Sequence, residues 1–313
     1  MTRARTLTLA ALRSGGKPAM ATALAEIERK PNAKASLDLL DRAFMAPRAH
    51  VLGVTGPPGV GKSTLAGALV GLLRGRGEMV GVIAVDPSSR TSGGALLGDR
   101  LRLSVEADEG VFVRSMAARD RLGGLADLTV AAATLMRAVY DRVLIETVGV
   151  GQSETDIAIA ADTILFCVQP GSGDALQFMK AGIVEIPDIV AVTKSDLGQA
   201  AAKAAADAAL GLDLGLGERG RPAPTVTVSA SRRRGLDALL AAVEDHRAWL
   251  GEDDRLARRR HEQALRWLKA ALRDRFGQDG LARLGQVSLK PDQPPFSHLA
   301  ELARTLGSDE FAP

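Results

Sequence analysis

From His50 onward the chain alternates short runs of apolar and β-branched residues with stretches whose apolar positions recur at helical spacing. The runs are His50 to Thr55, Met79 to Val85, Val111 to Val113, Arg142 to Glu146, Thr163 to Val168, Ile189 to Thr193 and Thr225 to Val228. Continuous apolar strands separated by helices predict an α/β fold: a mostly parallel sheet covered by helices on both faces. Before His50, Ala21 to Arg29 and Ala35 to Phe44 have helical spacing, with Pro31 and Asn32 between them. Past Gly235 the pattern turns helical again, over Leu236 to Leu250 and Asp254 to Phe276. The division expected is an N-terminal helical extension (1–48), an α/β domain (49–245) and a C-terminal helical arm (246–313). Ala264, Leu265, Leu268 and Leu272 form an apolar stripe on that arm, which suits a dimer interface as well as packing on the chain's own sheet.

Composition narrows the class of partner more than the fold. With 46% hydrophobic residues in 313, the chain can bury a substantial core. The formal charge is only +3, so a pI near 9.2 does not demand a nucleic acid or a membrane surface. Arg258, Arg259 and Arg260 could face a phosphate or an acidic partner, although a basic run on a helix is more often a solvated face. The single cysteine, Cys167, sits in an apolar run and reads as a small packing residue. Thr6 to Leu12 is too short for a signal-peptide core and no uncharged stretch could span a bilayer, so a cytoplasmic location is expected.

Chemistry concentrates at the ends of the predicted strands. Gly56 to Ser63 reads GPPGVGKS, a P-loop placed between a strand and a helix. Its glycines, Gly56, Gly59 and Gly61, let backbone N–H groups converge on phosphate oxygens. Lys62 can reach the β- and γ-phosphates, and the Ser63 hydroxyl can bind Mg²⁺. Val60 and Thr64 complete the expected nucleotide-binding stretch. Asp86 ends one strand and Glu146 another, where carboxylates can serve the same ion. Glu146 also opens an ExxG pattern whose Gly149 can bring its N–H to a γ-phosphate.

Thr193, Lys194 and Asp196 resemble the [N/T]KxD element that reads guanine, because a carboxylate accepts from guanine N1 and N2 and adenine has no such donor pair. Ser229 and Ala230 resemble the SA element that contacts the guanine oxygen. GTP and GDP are therefore the expected nucleotides. Val150 follows Gly149, where a water-orienting glutamine would stand, so unassisted hydrolysis should be slow. Gln152, Glu154 and Lys180 are candidates that a partner could bring into place.

The motifs VDPSS (Val85 to Ser89), GGALLGD (Gly93 to Asp99), ETVGVGQSE (Glu146 to Glu154) and PGSGDALQ (Pro170 to Gln177) resemble those of the MeaB family, which includes the methylmalonic aciduria type A protein and the proteins labelled ArgK. The resemblance implies a homodimeric GTPase that chaperones an adenosylcobalamin-dependent acyl-CoA mutase of the methylmalonyl-CoA mutase type, gating cofactor loading and protecting the mutase from inactivation. It also implies that Ser63, Asp86, Asp99 and Glu146 carry the magnesium and switch roles, with Gly171 to Lys180 as a partner-sensing switch. Other readings are a metallochaperone GTPase, which four dispersed histidines and one cysteine disfavour, and a kinase of an amino acid transport system, which Asp196 disfavours.

Overall fold

The computed structural model describes residues 8–86, 108–117, 127–147, 156–171, 187–213 and 221–307. Seven parallel strands form one sheet: β1 (His50–Thr55), β2 (Val80–Asp86), β3 (Val111–Ala117), β4 (Arg142–Glu146), β5 (Thr163–Val168), β6 (Ile189–Val192) and β7 (Thr225–Thr227), in the spatial order β3-β2-β4-β1-β5-β6-β7. Between and around them lie α1 (Leu9–Arg29), α2 (Lys34–Met45), α3 (Lys62–Gly75), α4 (Asp127–Val139), α5 (Gln199–Asp213), α6 (Leu236–Leu250), α7 (Arg255–Leu284) and α8 (Pro295–Thr305).

Alternate residues of each strand supply opposite faces. Val51, Ile83, Val143, Ile145 and Ile164 join one core with α1, α2, α4, α7 and α8. Leu52, Val54, Val82, Leu144 and Leu165 join the other with α3 and α6. Phe166 and Val168 meet Ala204, Ala208 and Leu212 of α5 in a smaller cluster. Both faces are covered, so the strands can be apolar throughout. Helix α4 is buried along nearly its whole length because α1 and α2 pack over it in a further layer. Arg13 of α1 fastens that layer by donating through Nε and Nη2 to the Ala138 carbonyl, at 3.1 and 2.9 Å, where α4 leaves its last carbonyls without helical donors.

The apolar stripe of the C-terminal arm packs inward. Ala264, Leu268 and Leu272 are buried in the first core, and Leu265 lies against it. The expectation for the arginine run is corrected by the fold. Arg258 is exposed, but Arg259 makes a bidentate pair with Asp188 (3.0 and 2.7 Å) and Arg260 one with Asp162 (2.8 and 2.6 Å). Both carboxylates lie immediately before a strand, β6 and β5 respectively, so the run clamps α7 to the N-terminal edge of the sheet. Helix α7 also continues past Phe276, through a break at Gly277 (φ 69°), to Leu284. Helix α8 was not anticipated: it starts at Pro295, packs Phe296 and Leu299 into the core, and has the Ser297 N–H held by Asp41 of α2 at 3.3 Å.

Candidate functional site

The parallel strands place all their C-terminal ends along one edge, and the sequence motifs gather there. Between β1 and α3 the chain turns through three glycines with positive φ, Gly56 (130°), Gly59 (77°) and Gly61 (96°). At Gly56 a Cβ would lie 2.2 Å from the carbonyl oxygen of Cys167 on β5, so the loop can pass this close to the sheet only with no side chain at that position. Cys167 itself is fully buried, and burial pushes its thiol up to about 12, as suits a packing residue. Lys62 opens α3, and its buried ammonium donates to the carbonyls of Gly56 (2.7 Å) and Pro57 (2.9 Å). The next residue, Ser63, donates its hydroxyl to Oε1 of Glu146 at 2.5 Å.

Glu146 ends β4, beside the central strand β1, and is 1% exposed. The chain just after it is held to β1 by the Thr147 N–H on the Val54 carbonyl (3.1 Å) and by the Thr147 hydroxyl on that of Thr55 (2.8 Å). Ser63 and Glu146 therefore offer a hydroxyl and a carboxylate at one point, hard oxygen donors of the kind Mg²⁺ takes alongside phosphate oxygens and water. The residues present fit that ion. Val60 is buried in the P-loop and Thr64 is exposed on the first turn of α3.

On the other side of the loop, the Thr193 hydroxyl donates to the carbonyl of Val60 at 2.7 Å, linking the end of β6 to the P-loop. Lys194 adopts a left-handed backbone (φ 54°), and its ammonium reaches the Gly59 carbonyl at 3.1 Å and the Gln169 side chain. Asp196 is exposed and accepts from the buried Ser229 hydroxyl at 2.5 Å. That hydrogen bond, aided by the charges of Arg232 and Arg234, holds the Asp196 carboxyl below its usual range, so it stands ready as an ionised acceptor. Ser229 is anchored by reciprocal 3.0 Å backbone bonds with Arg234, and Ala230 follows it, half-buried.

The structure thus brings together Gly56, Gly59, Val60, Gly61, Lys62, Ser63, Thr64 and Glu146, with Thr193, Lys194, Asp196, Ser229 and Ala230 beside them. The backbone of Asp86 closes β2 at the same edge, opposite Ala117 of β3, while its side chain lies outside what is described. Asp99, Gly149, Gln152, Glu154 and Lys180 also lie outside the described residues. Thr55, Thr147 and Gln169 were not singled out from the sequence. Thr147 lies within the ExxG stretch, but a threonine that only braces its neighbours has no spacing signature.

A glycine-rich loop leading from the central strand into a helix, its lysine and serine in place and a Thr-Lys-x-Asp element alongside, defines a P-loop GTPase. The chain belongs to the MeaB family: a family model described as methylmalonyl Co-A mutase-associated GTPase MeaB matches residues 19–283. A relative from Pyrococcus horikoshii is 46% identical over 187 residues, which span 59% of this chain and 59% of that protein. The GTPase ArgK of Escherichia coli is 36% identical over 267 residues, covering 82% of this chain and 80% of its own. Among solved structures, one described as an LAO/AO transport system kinase superposes with a TM-score of 0.66 at 27% identity, covering 98% of this chain and 100% of that one. No helix among the described residues is long and apolar enough to cross a membrane.

Proposed function

We propose that this GTPase hydrolyses GTP with Mg²⁺ in the service of an adenosylcobalamin-dependent acyl-CoA mutase, gating cofactor loading and protecting the mutase from inactivation. What supports the nucleotide is the pairing of a P-loop with an ionised Asp196 fixed by Ser229. What supports the client is the description carried by the matching family.

The roles follow from position. Gly56, Gly59, Val60, Gly61 and Thr64 shape the phosphate cradle, with their N–H groups and the α3 N-terminus facing negative charge. Lys62 leaves the Gly56 and Pro57 carbonyls for the β- and γ-phosphates, exchanging neutral acceptors for charged ones. Ser63 and Glu146 hold the ion, with Asp86 and Asp99 completing its surroundings. Mg²⁺ held there would neutralise negative charge on the bound phosphates. Thr193 and Lys194 brace the loop from the base side, Asp196 reads guanine N1 and N2, and Ser229 with Ala230 closes on its oxygen. Gly149 offers its N–H to the γ-phosphate, and Lys180 is the side chain that the partner positions. The chain works in the cytoplasm as a homodimer, with 1–48 and 246–313 flanking a 49–245 GTPase domain. Because the Ala264–Leu272 stripe is buried within the chain, the dimer contact uses other surfaces.

The test is turnover by the purified full chain with Mg²⁺, alone and with an adenosylcobalamin-dependent acyl-CoA mutase, with ATP as control. A partner that orders a catalytic group should raise kcat for GTP by orders of magnitude. Stimulation absent with every such mutase would remove the client. Preference for ATP, with phosphate transferred to a protein acceptor, would favour a kinase, the activity named in the description of the superposed structure.

A further inference from the structure

Arg137 of α4 is buried, 7% exposed, yet no carboxylate among the described residues comes within ion-pair distance of it and its Nε meets no hydrogen-bond acceptor. Its guanidinium carbon stands 5.6 Å from the centre of the Phe44 ring on α2, a weak cation–π contact. A buried cation left in that condition is costly, so a partner of some kind is expected. The nearest acid is committed elsewhere. Asp162 gives Oδ1 to Arg260 Nε and Oδ2 to both Arg260 Nη2 and the Val51 N–H.

Arg137 and Arg260 both line a cavity of about 30 Å³ where α2, α4, α7 and α8 meet, together with Phe44, Thr134, Trp267 and Phe296. Among the described residues, no acidic side chain lines it. Among the described residues around this cavity, two guanidinium groups are set against one carboxylate, an excess of one positive charge. Burial lowers the Arg137 pKa only to about 10, so the excess persists at neutral pH. That volume exceeds the roughly 10–15 Å³ that a single water needs. That is room enough for a halide ion.

We propose that this cavity binds one small monovalent anion of the halide class, chloride in the cell, held by the guanidinium groups of Arg137 and Arg260. A water molecule could accept a hydrogen bond from Arg137 but would leave the charge uncompensated. The ion would sit where the N-terminal helices, the C-terminal helices and the sheet converge, so its binding would tie both extensions to the GTPase core. The site is remote from the P-loop chemistry and does not depend on the function proposed above.

Thermal unfolding of the full-length chain should be followed while sodium bromide or chloride replaces sodium gluconate at constant ionic strength. A ligand that binds only the folded state raises the melting temperature linearly with the logarithm of its concentration, by roughly 2–4 °C per tenfold above its dissociation constant. That slope is expected for the native chain and should vanish in Arg137→Met. Equal melting temperatures in halide and gluconate, or a slope that survives in Arg137→Met, would overturn the proposal. Should Arg137→Met fail to fold, crystals of the native chain grown with bromide decide: an anomalous peak beside the Arg137 guanidinium supports the site, and water alone there refutes it.

Discussion

Both edges of the sheet carry charged side chains and use them in opposite ways. At the C-terminal edge the polar groups hold partners that a nucleotide can displace: Lys62 on loop carbonyls, Ser63 on Glu146, and Asp196 on a serine. At the N-terminal edge they are committed to one another. Asp162 takes Arg260, Asp188 takes Arg259 and His246, and Arg142 takes Glu78 and Glu244, while His50, Thr163 and His246 form a buried hydrogen-bonded chain. Strands β1, β4, β5 and β6 start at this braced edge, and β1, β4 and β6 end beside the P-loop contacts. A rigid base of this kind lets the loops at the other end exchange partners without loosening the fold.

Substitutions should separate the edges cleanly. The largest effect belongs to Lys62→Ala, which should lower kcat/KM for GTP by on the order of 10²–10³ while leaving chemical denaturation nearly unchanged. Near-normal turnover in that variant would dismantle the P-loop assignment. Asp162→Ala should do the reverse. It strands a buried guanidinium and the Val51 N–H, costing about 3–5 kcal/mol in a denaturant titration, while the folded fraction keeps its affinity for GTP. A cost below about 1 kcal/mol would mean the lower edge is not clamped as described.

A smaller effect should appear in acid. Burial lowers His50 from 6.5 to about 4, so between those values the unfolded chain binds a proton that the folded one refuses. Stability is full above pH 6.5 and is lost as pH falls through the window, by about 2 kcal/mol at pH 5. His50→Gln should flatten that limb. Asp162, held near 2 against its burial mainly by Arg260, titrates below the window and does not contribute to it. An acid limb unchanged by His50→Gln would assign it to another group.

The same contrast governs what could be read in advance. The nucleotide edge is legible because its chemistry sits in contiguous motifs, and a strand, a glycine turn and a helix must follow in order for the loop to work. The strands were recognisable from apolar continuity, although β3 runs on to Ala117 where the pattern stops at Val113, since Arg114 and Ser115 interrupt it. The lower edge was illegible for a physical reason. Arg259 and Asp188 are 71 positions apart, and Arg260 and Asp162 are 98 apart, so nothing local marks either pair. A basic run then looks like a solvated face. Helix α8 was hidden by Pro291, Pro294 and Pro295, which suggest a loop although proline at the first helical turn is a start signal. The arm's stripe left packing and dimerisation open, because periodicity reports that a face is buried and not by what.

The central claim, a guanine-reading site at the C-terminal edge, is tested most directly by measuring affinities for GTP, xanthosine triphosphate and ATP in the native chain and in Asp196→Asn. The native chain should prefer GTP. The variant should lose GTP and gain xanthosine triphosphate, by on the order of tenfold to a hundredfold each way, because the asparagine amide can donate to the xanthine oxygen. An Asp196→Asn chain that still prefers GTP, with no gain for xanthosine triphosphate, would contradict the account.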